Sequence, residues 1–223
     1  MNNLVNPALK IIKSQKINIF DNSGNKVAQL NPLNEEILPK IDEISNYLTQ
    51  WRNKSMKFFL TGFKATPERT KNWLLSSVIE SNSKILYLVY ADDRPVGQFG
   101  LADISKSRAE LDNAIRGEKG GHPDLFRNIE YVLLDMAFNC LDVEKIEGKL
   151  FSNNLIAIML HKDFGFTVTD RSRLKRVENG EEWHYTPCDE EESNTKVDQL
   201  QITLTKERFL KSTKIKQIKW EFD

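Results

Sequence analysis

The chain has little of what marks several protein classes. Its 223 residues include 2 cysteines, 10 glycines and 7 prolines. Two thiols, Cys140 and Cys188, are too few for a disulfide framework and suit a reducing compartment. Neither charge sign dominates, with 32 basic residues against 32 acidic ones. That balance removes the electrostatic footprint of a nucleic-acid or anionic-membrane binder. No apolar run approaches the ~20 residues of a membrane span, and the stretch from Met1 to Lys16 lacks a secretory h-region. Collagen, coiled-coil arrays, disulfide mini-proteins and integral membrane proteins are excluded. The expectation is a soluble cytoplasmic globular protein, long enough for a real core.

What is present reads as mixed α and β. Residues 17–20 and 27–30 alternate around an Asn-Ser-Gly-Asn turn and form a ribbon. Helical spacing runs from Ile41 through Trp51, and Thr66-Pro67-Glu68 opens a second helix by capping chemistry. Residues 84–90 and 96–101 make a hairpin through Asp92 to Pro95. Ala109 to Ile115 alternates as a strand, with Glu110, Asp112 and Ala114 on one face and Leu111, Asn113 and Ile115 on the other. A glycine-containing loop follows, then a helix placing Leu125, Ile129, Val132, Leu133, Met136 and Cys140 on one apolar face; Cys140 is expected in the core. A strand over 145–151, a short helix over 154–163 stopped by Gly165, and a hairpin over 166–187 turning at Asn179-Gly180 complete the main body. The acidic run Cys188 to Asn194 reads as an exposed loop before a period-two tail, Leu200 to Thr205. We therefore expect an α+β fold, a mostly antiparallel twisted sheet flanked by helices, with an added N-terminal ribbon and C-terminal strand. Residues 1–187 form its main domain, including the ribbon within 1–39, and residues 188–223 an extension packed on it.

The loop carries the chemistry. Arg116-Gly117-Glu118-Lys119-Gly120-Gly121-His122 lies between a strand and a helix start, where glycines let N–H groups converge on an anion. No Lys-Ser/Thr follows the glycines and the spacing is not Gly-x-Gly-x-x-Gly, so nucleoside triphosphates and Rossmann dinucleotides are disfavoured. An ordinary βα loop is the competing reading. The His and Cys residues show no metal-ligand spacing, and no Gly-x-Ser-x-Gly elbow occurs.

Over roughly residues 40–187 the chain resembles the GCN5-related N-acetyltransferase (GNAT) superfamily. The resemblance rests on Trp51-Arg52-Asn53, Thr66 to Trp73, Leu86 to Gly97, the strand–Gly loop–helix unit, and Asn154, Ala157, Gly165 and Phe166. In that family a Gln/Arg-x-x-Gly-x-Gly/Ala loop cradles the pyrophosphate of acyl-coenzyme A. Arg116 and Gly121 match its ends, while Lys119 stands where the middle glycine is expected. The resemblance implies acetyl-CoA or another short acyl-CoA as co-substrate and no metal. It implies cofactor contacts from Asn113, Ala114 and Ile115 through Arg116, Gly117, Glu118, Lys119, Gly120, Gly121 and His122, and from Asn154.

Thioester aminolysis needs a neutral amine, a donor for the oxyanion and a proton for the thiolate. The family often places a Tyr seven residues after the Asn that opens the short helix; here that position is His161. An imidazole can give that proton, and a surface His beside Lys162 is the competing reading. Asp112 or Glu110 could take the amine proton, unless ion-paired on a strand face. The resemblance to amino-sugar N-acyltransferases assigns Trp51, Arg52 and Asn53 to the acceptor, although Trp51 could equally be core and Arg52 an ion pair. Enzymes acting on ribosomal-protein N-termini share a related Trp-Arg-Asn start. The expected acceptor is the amine of a nucleotide-linked sugar, such as a dTDP-3-amino-3,6-dideoxyhexose. A protein or peptide α-amine and a non-catalytic acyl-CoA-binding module are the alternatives. No nucleic-acid or membrane partner is expected, and a homodimer stays open.

Overall fold

A computed structural model describes residues 7–212 and 218–223. The elements are α1 (Pro7–Ile12), β1 (Ile17–Phe20), β2 (Lys26–Pro32), α2 (Ile41–Lys54), β3 (Thr61–Gly62), α3 (Pro67–Trp73), β4 (Ile85–Ala91), β5 (Arg94–Ala102), β6 (Ala109–Arg116), α4 (Leu125–Asn139), β7 (Lys145–Phe151), α5 (Leu155–Asp163), β8 (Thr167–Asn179), β9 (Glu182–Cys188), β10 (Asp198–Thr205), α6 (Lys206–Lys211) and β11 (Lys219–Phe222). The strands form one sheet in the order β11-β1-β2-β4-β5-β6-β7-β10-β8-β9-β3. Its pairs are antiparallel except β6 with β7. This is the expected α+β class.

Alternation along β4 shows how the sheet divides two cores. Ile85, Tyr87 and Val89 face a cluster completed by α1, α4 and α6. Leu86 and Leu88 face a second cluster built from Ile41, Ile44, Leu48 and Trp51 of α2 and from Leu74 and Val78 beyond α3. Helices thus cover both faces, which is why β4 reads as a nearly continuous apolar run.

Local chemistry sets the helix ends. Thr66 caps α3 by accepting from the Arg69 amide, with Pro67 in the first turn. The helix then widens to a π turn over Leu74–Ile79, whose last carbonyls need partners. The Lys13 ammonium supplies them, donating to Val78 O at 3.2 Å, Ile79 O at 3.1 Å and Ser81 O at 2.6 Å. Burial pulls the Lys13 pKa down, partly opposed by Glu35.

Two expectations change on folding. The period-two tail does form a strand, but β10 is inserted between β7 and β8 and pairs with both. Asp198 anchors it there, nearly buried and bonded to Arg171 at 2.6 Å and Arg173 at 3.0 Å. These bonds, led by that of Arg171, hold its carboxyl below the usual range. Cys140 does not join the core. It follows the last residue of α4 as the C-cap and is exposed, because the winding that would carry it inward has ended.

Candidate active site

The sheet opens at its one parallel pair. β6 and β7 are paired only at Ala109 with Ile146 and Glu110 with Glu147, after which they part. The outer edge of each strand is held, β6 by β5 and β7 by β10. The facing edges beyond Glu110 and Glu147 therefore offer backbone groups to an extended, amide-bearing ligand.

A bulge sits at this opening. Ile115 pairs with Gln98 and Asp112 with Gly100, so Asn113 and Ala114 together oppose Phe99. Asn113 takes a φ of 52°, a conformation asparagine tolerates better than most residues. The extra residue overturns the expected alternation past Asp112. Leu111 packs on the α4 side, whereas Ile115 joins Leu86, Leu88 and Trp51 on the α2 side.

The glycine loop is folded down onto the β4–β5 hairpin. Gly117 and Glu118 both donate their amides to Val96 O, at 2.9 and 3.0 Å. Gly121 donates to the Asp92 carboxylate at 3.0 Å, and Arg116 and Arg94 donate to the carbonyls of Gly120 and Lys119 at 2.9 and 3.1 Å. Several amides expected to converge on an anion are thus already engaged. The start of α4 is better suited, since Asp124 occupies its N-cap without a side-chain cap bond. Its first turn, at Phe126 and Arg127, presents N–H groups and the helix dipole. Sequence reading missed these two residues; the strand–loop–helix order was the signal. His122 accepts from the Asp124 amide at 3.1 Å and lines a separate hollow with Tyr90, Asp92 and Asp93.

On the α2 side of the loop lies a hollow of about 540 Å³ lined by Lys54, Arg94, Arg116, Gly117, Glu118 and Lys119. It brings four cationic side chains around one carboxylate. Trp51 packs against the loop. The indole is 0% exposed, lies against Gly117 and donates to Glu118 Oε1 at 3.0 Å. This bond, then Lys54, lowers the Glu118 pKa.

The other two residues of the Trp-Arg-Asn run also turn inward. Asn53 donates to Ala65 O at 3.0 Å and accepts from Ala65 N at 2.9 Å, which clamps the α2–α3 connection. Arg52 lies 3.7 Å above the Phe59 ring and donates to Thr61 O at 2.6 Å. Its Nη1 is buried without a hydrogen-bond partner among the described residues. Burial, helped by nearby Arg69, lowers its pKa to about 10. Trp51 and Asn53 therefore correct the expectation of acceptor contacts: one is core, and the other has both ends of its amide committed to the backbone.

The expected acid–base residues fall on both faces. Asp112 is paired with Lys84 at 3.0 Å, and Glu110 approaches Lys149 at 3.7 Å. On the same face of the sheet, Phe151, Tyr185 and Trp183 form an edge-to-face row with centroids 5.1 and 5.2 Å apart. His161 sits on α5 across the sheet from this row, its Nδ1 2.6 Å from Glu130 Oε1. Asn154 opens α5, its side-chain oxygen accepting from Ala157 N at 3.3 Å. Among the described residues no group of His, Cys, Asp and Glu is placed to hold a metal ion. No described helix is long and apolar enough to cross a membrane.

A splayed parallel pair, a bulge beside it and an uncapped helix after it define an acyl-coenzyme A fold, and the comparisons agree. The acetyltransferase (GNAT) domain model matches residues 42–186, well over half the chain, and the chain belongs to that family. It is a transferase whose co-substrate is acetyl-CoA or another short acyl-CoA. Curated protein sequences give no significant match. Solved structures do. A probable GNAT acetyltransferase from Chromobacterium violaceum is 16% identical with a TM-score of 0.62, covering 83% of this chain and 86% of that one. Spermidine N-acetyltransferase from Vibrio cholerae, in complex with CoA and spermine, is 17% identical with a TM-score of 0.62, covering 83% and 99%. The Campylobacter jejuni N-acetyltransferase PseH, in complex with acetyl coenzyme A, is 18% identical with a TM-score of 0.51, covering 80% and 99%. At these identities the likeness carries the fold.

Proposed function

We propose that this acetyltransferase transfers its acetyl group to an amine on an anionic carrier, a nucleotide-linked amino sugar. The observation behind the reading is the basic hollow of Lys54, Arg94, Arg116 and Lys119 on the α2 side of the loop. A diphosphate carries two negative charges and suits such a rim, whereas a polyamine acceptor would be repelled by it. The family's donor needs phosphate binding as well, and the uncapped start of α4 provides that.

The chain's residues then divide the work. The open edges of β6 and β7 hold the pantetheine arm as a strand-like guest, and the Asn113 bulge offers its peptide to the acyl carbonyl. The aromatic row of Phe151, Tyr185 and Trp183 walls the acceptor side and limits water. Asp112 and Glu110 are each ion-paired with a lysine on that face, so the proton lost by the attacking amine passes to water. His161 returns a proton to the departing sulfur.

Lys54 tests the acceptor assignment, because it reaches the hollow from α2 and its only close partner shown is Glu118 at 3.4 Å. Lys54→Glu is expected to raise KM for a dTDP-amino sugar by about 10-fold, from one lost and one reversed charge contact. KM for acetyl-CoA should stay within about twofold. Equal increases in both KM values would assign the hollow to the donor's phosphates instead.

A further inference from the structure

Glu130 is the one acid in the apolar stretch Ile129 to Leu134 and is 0% exposed. Its Oε1 lies 2.6 Å from Nδ1 of His161, and its Oε2 has no hydrogen-bond partner among the described residues. His161 itself keeps 14% of its side chain exposed, with the Phe166 ring 5.3 Å away, centroid to centroid. The ring thus has one nitrogen on a buried carboxylate and remains within reach of solvent.

Holding α4 to α5 does not require this contact. Arg127 already bonds Asp163 at 2.6 Å between the same two helices, close by on each. A buried carboxylate carries a desolvation penalty, and an apolar residue of similar size is often as stable or more so. A device that orients the ring explains the pair better than packing does.

Resting on the reading of His161 as proton donor, we propose that Glu130 is the positioning residue of that donor. Its carboxylate accepts the Nδ1–H hydrogen bond, fixes the ring plane and leaves Nε2 to carry the transferable proton. The amine nitrogen bonds to the carbonyl carbon, and the C–S bond then breaks with its electron pair going to sulfur. The Nε2 proton passes to that sulfur, giving the free thiol. The imidazole becomes neutral with Nδ1–H still on Glu130, and Nε2 regains a proton from water. The acceptor nitrogen loses its extra proton to water, which offsets the one His161 takes up, so charge and atoms balance. Glu130 keeps the Nδ1–H hydrogen bond throughout and takes no part in the transfer.

Three measurements on the full chain test this. Glu130→Gln should lower kcat by about 10- to 100-fold, a large part of a general-acid contribution, with KM for acetyl-CoA within about twofold. In a His161→Gln background the same change should do nothing further, since two residues acting as one unit are not additive. Nitrogen NMR of the wild-type His161 ring should show Nδ1 protonated, a reading that needs no variant to fold. A wild-type ring protonated only at Nε2 would overturn the proposal. So would wild-type turnover in Glu130→Gln while His161→Gln is slow, a result that leaves His161 as the donor. Wild-type turnover in His161→Gln would instead remove the donor reading, and this proposal with it.

Discussion

His161→Gln is expected to lower kcat by about 10²-fold while leaving KM for acetyl-CoA nearly unchanged. General-acid catalysis contributes about 10² to 10⁴, and a thiolate leaves tolerably without a proton, which points to the low end. Glutamine is the useful replacement. Its amide can still donate to Glu130, which His161 Nδ1 meets at 2.6 Å, but it has no proton to transfer. Alanine would leave a wholly buried carboxylate without the hydrogen-bond partner it has among the described residues and cost about 3–5 kcal/mol, confusing unfolding with slow chemistry. Steady-state kinetics with a thermal melt on the glutamine variant separates the two. Turnover equal to the wild type would return His161 to a packing role.

Gly117→Ala is expected to be a strongly damaging single-methyl change in the site. A Cβ built at Gly117 falls 2.1 to 2.2 Å from Trp51 Cγ, Cδ2 and Cε2. The indole cannot swing away, because it is 0% exposed and bonded to Glu118. Overpacking of this kind costs about 1–3 kcal/mol, and the loop must lift off Val96 to relieve it. Lifting would carry Arg116 and Lys119 with it, so the basic hollow should open and acceptor binding weaken. Urea denaturation gives the stability change, and in a Trp51→Ala background, which lacks all three clashing atoms, the Gly117 change should cost much less. Wild-type stability in Gly117→Ala would show that loop and helix are not packed as described.

These two residues illustrate what could be read from the sequence. The β4–β5 hairpin, β6, α4, β7 and α5 follow from periodicity, turn residues and caps, all local signals. Both Trp51 and Gly117 stood out as site residues, yet nothing local shows that they pack on each other across 66 positions of chain. The bulge at Asn113 is hidden for a similar reason. Glu110 to Ile115 alternates well as a plain strand, and only pairing with β5 inserts the extra residue. β10 reads correctly as a strand, but its place between β7 and β8 is set by long-range registry. β3 is two residues long and can show no period. Glu130 was invisible because an acid in a helix is by default a solvent-facing residue, and its burial depends on His161 arriving from α5.

An anionic carrier for the acceptor amine is put to the test by one assay. Thiol release from acetyl-CoA is followed with a dTDP-linked amino deoxyhexose, spermidine and an N-terminal peptide at matched concentrations. The hollow lined by Lys54, Arg94, Arg116 and Lys119 predicts the highest kcat/KM for the nucleotide sugar, falling as salt is raised from 50 mM to about 300 mM, since screening weakens exposed charge contacts. Preferred turnover of spermidine or of the peptide, with no release above background for the nucleotide sugar, would contradict it.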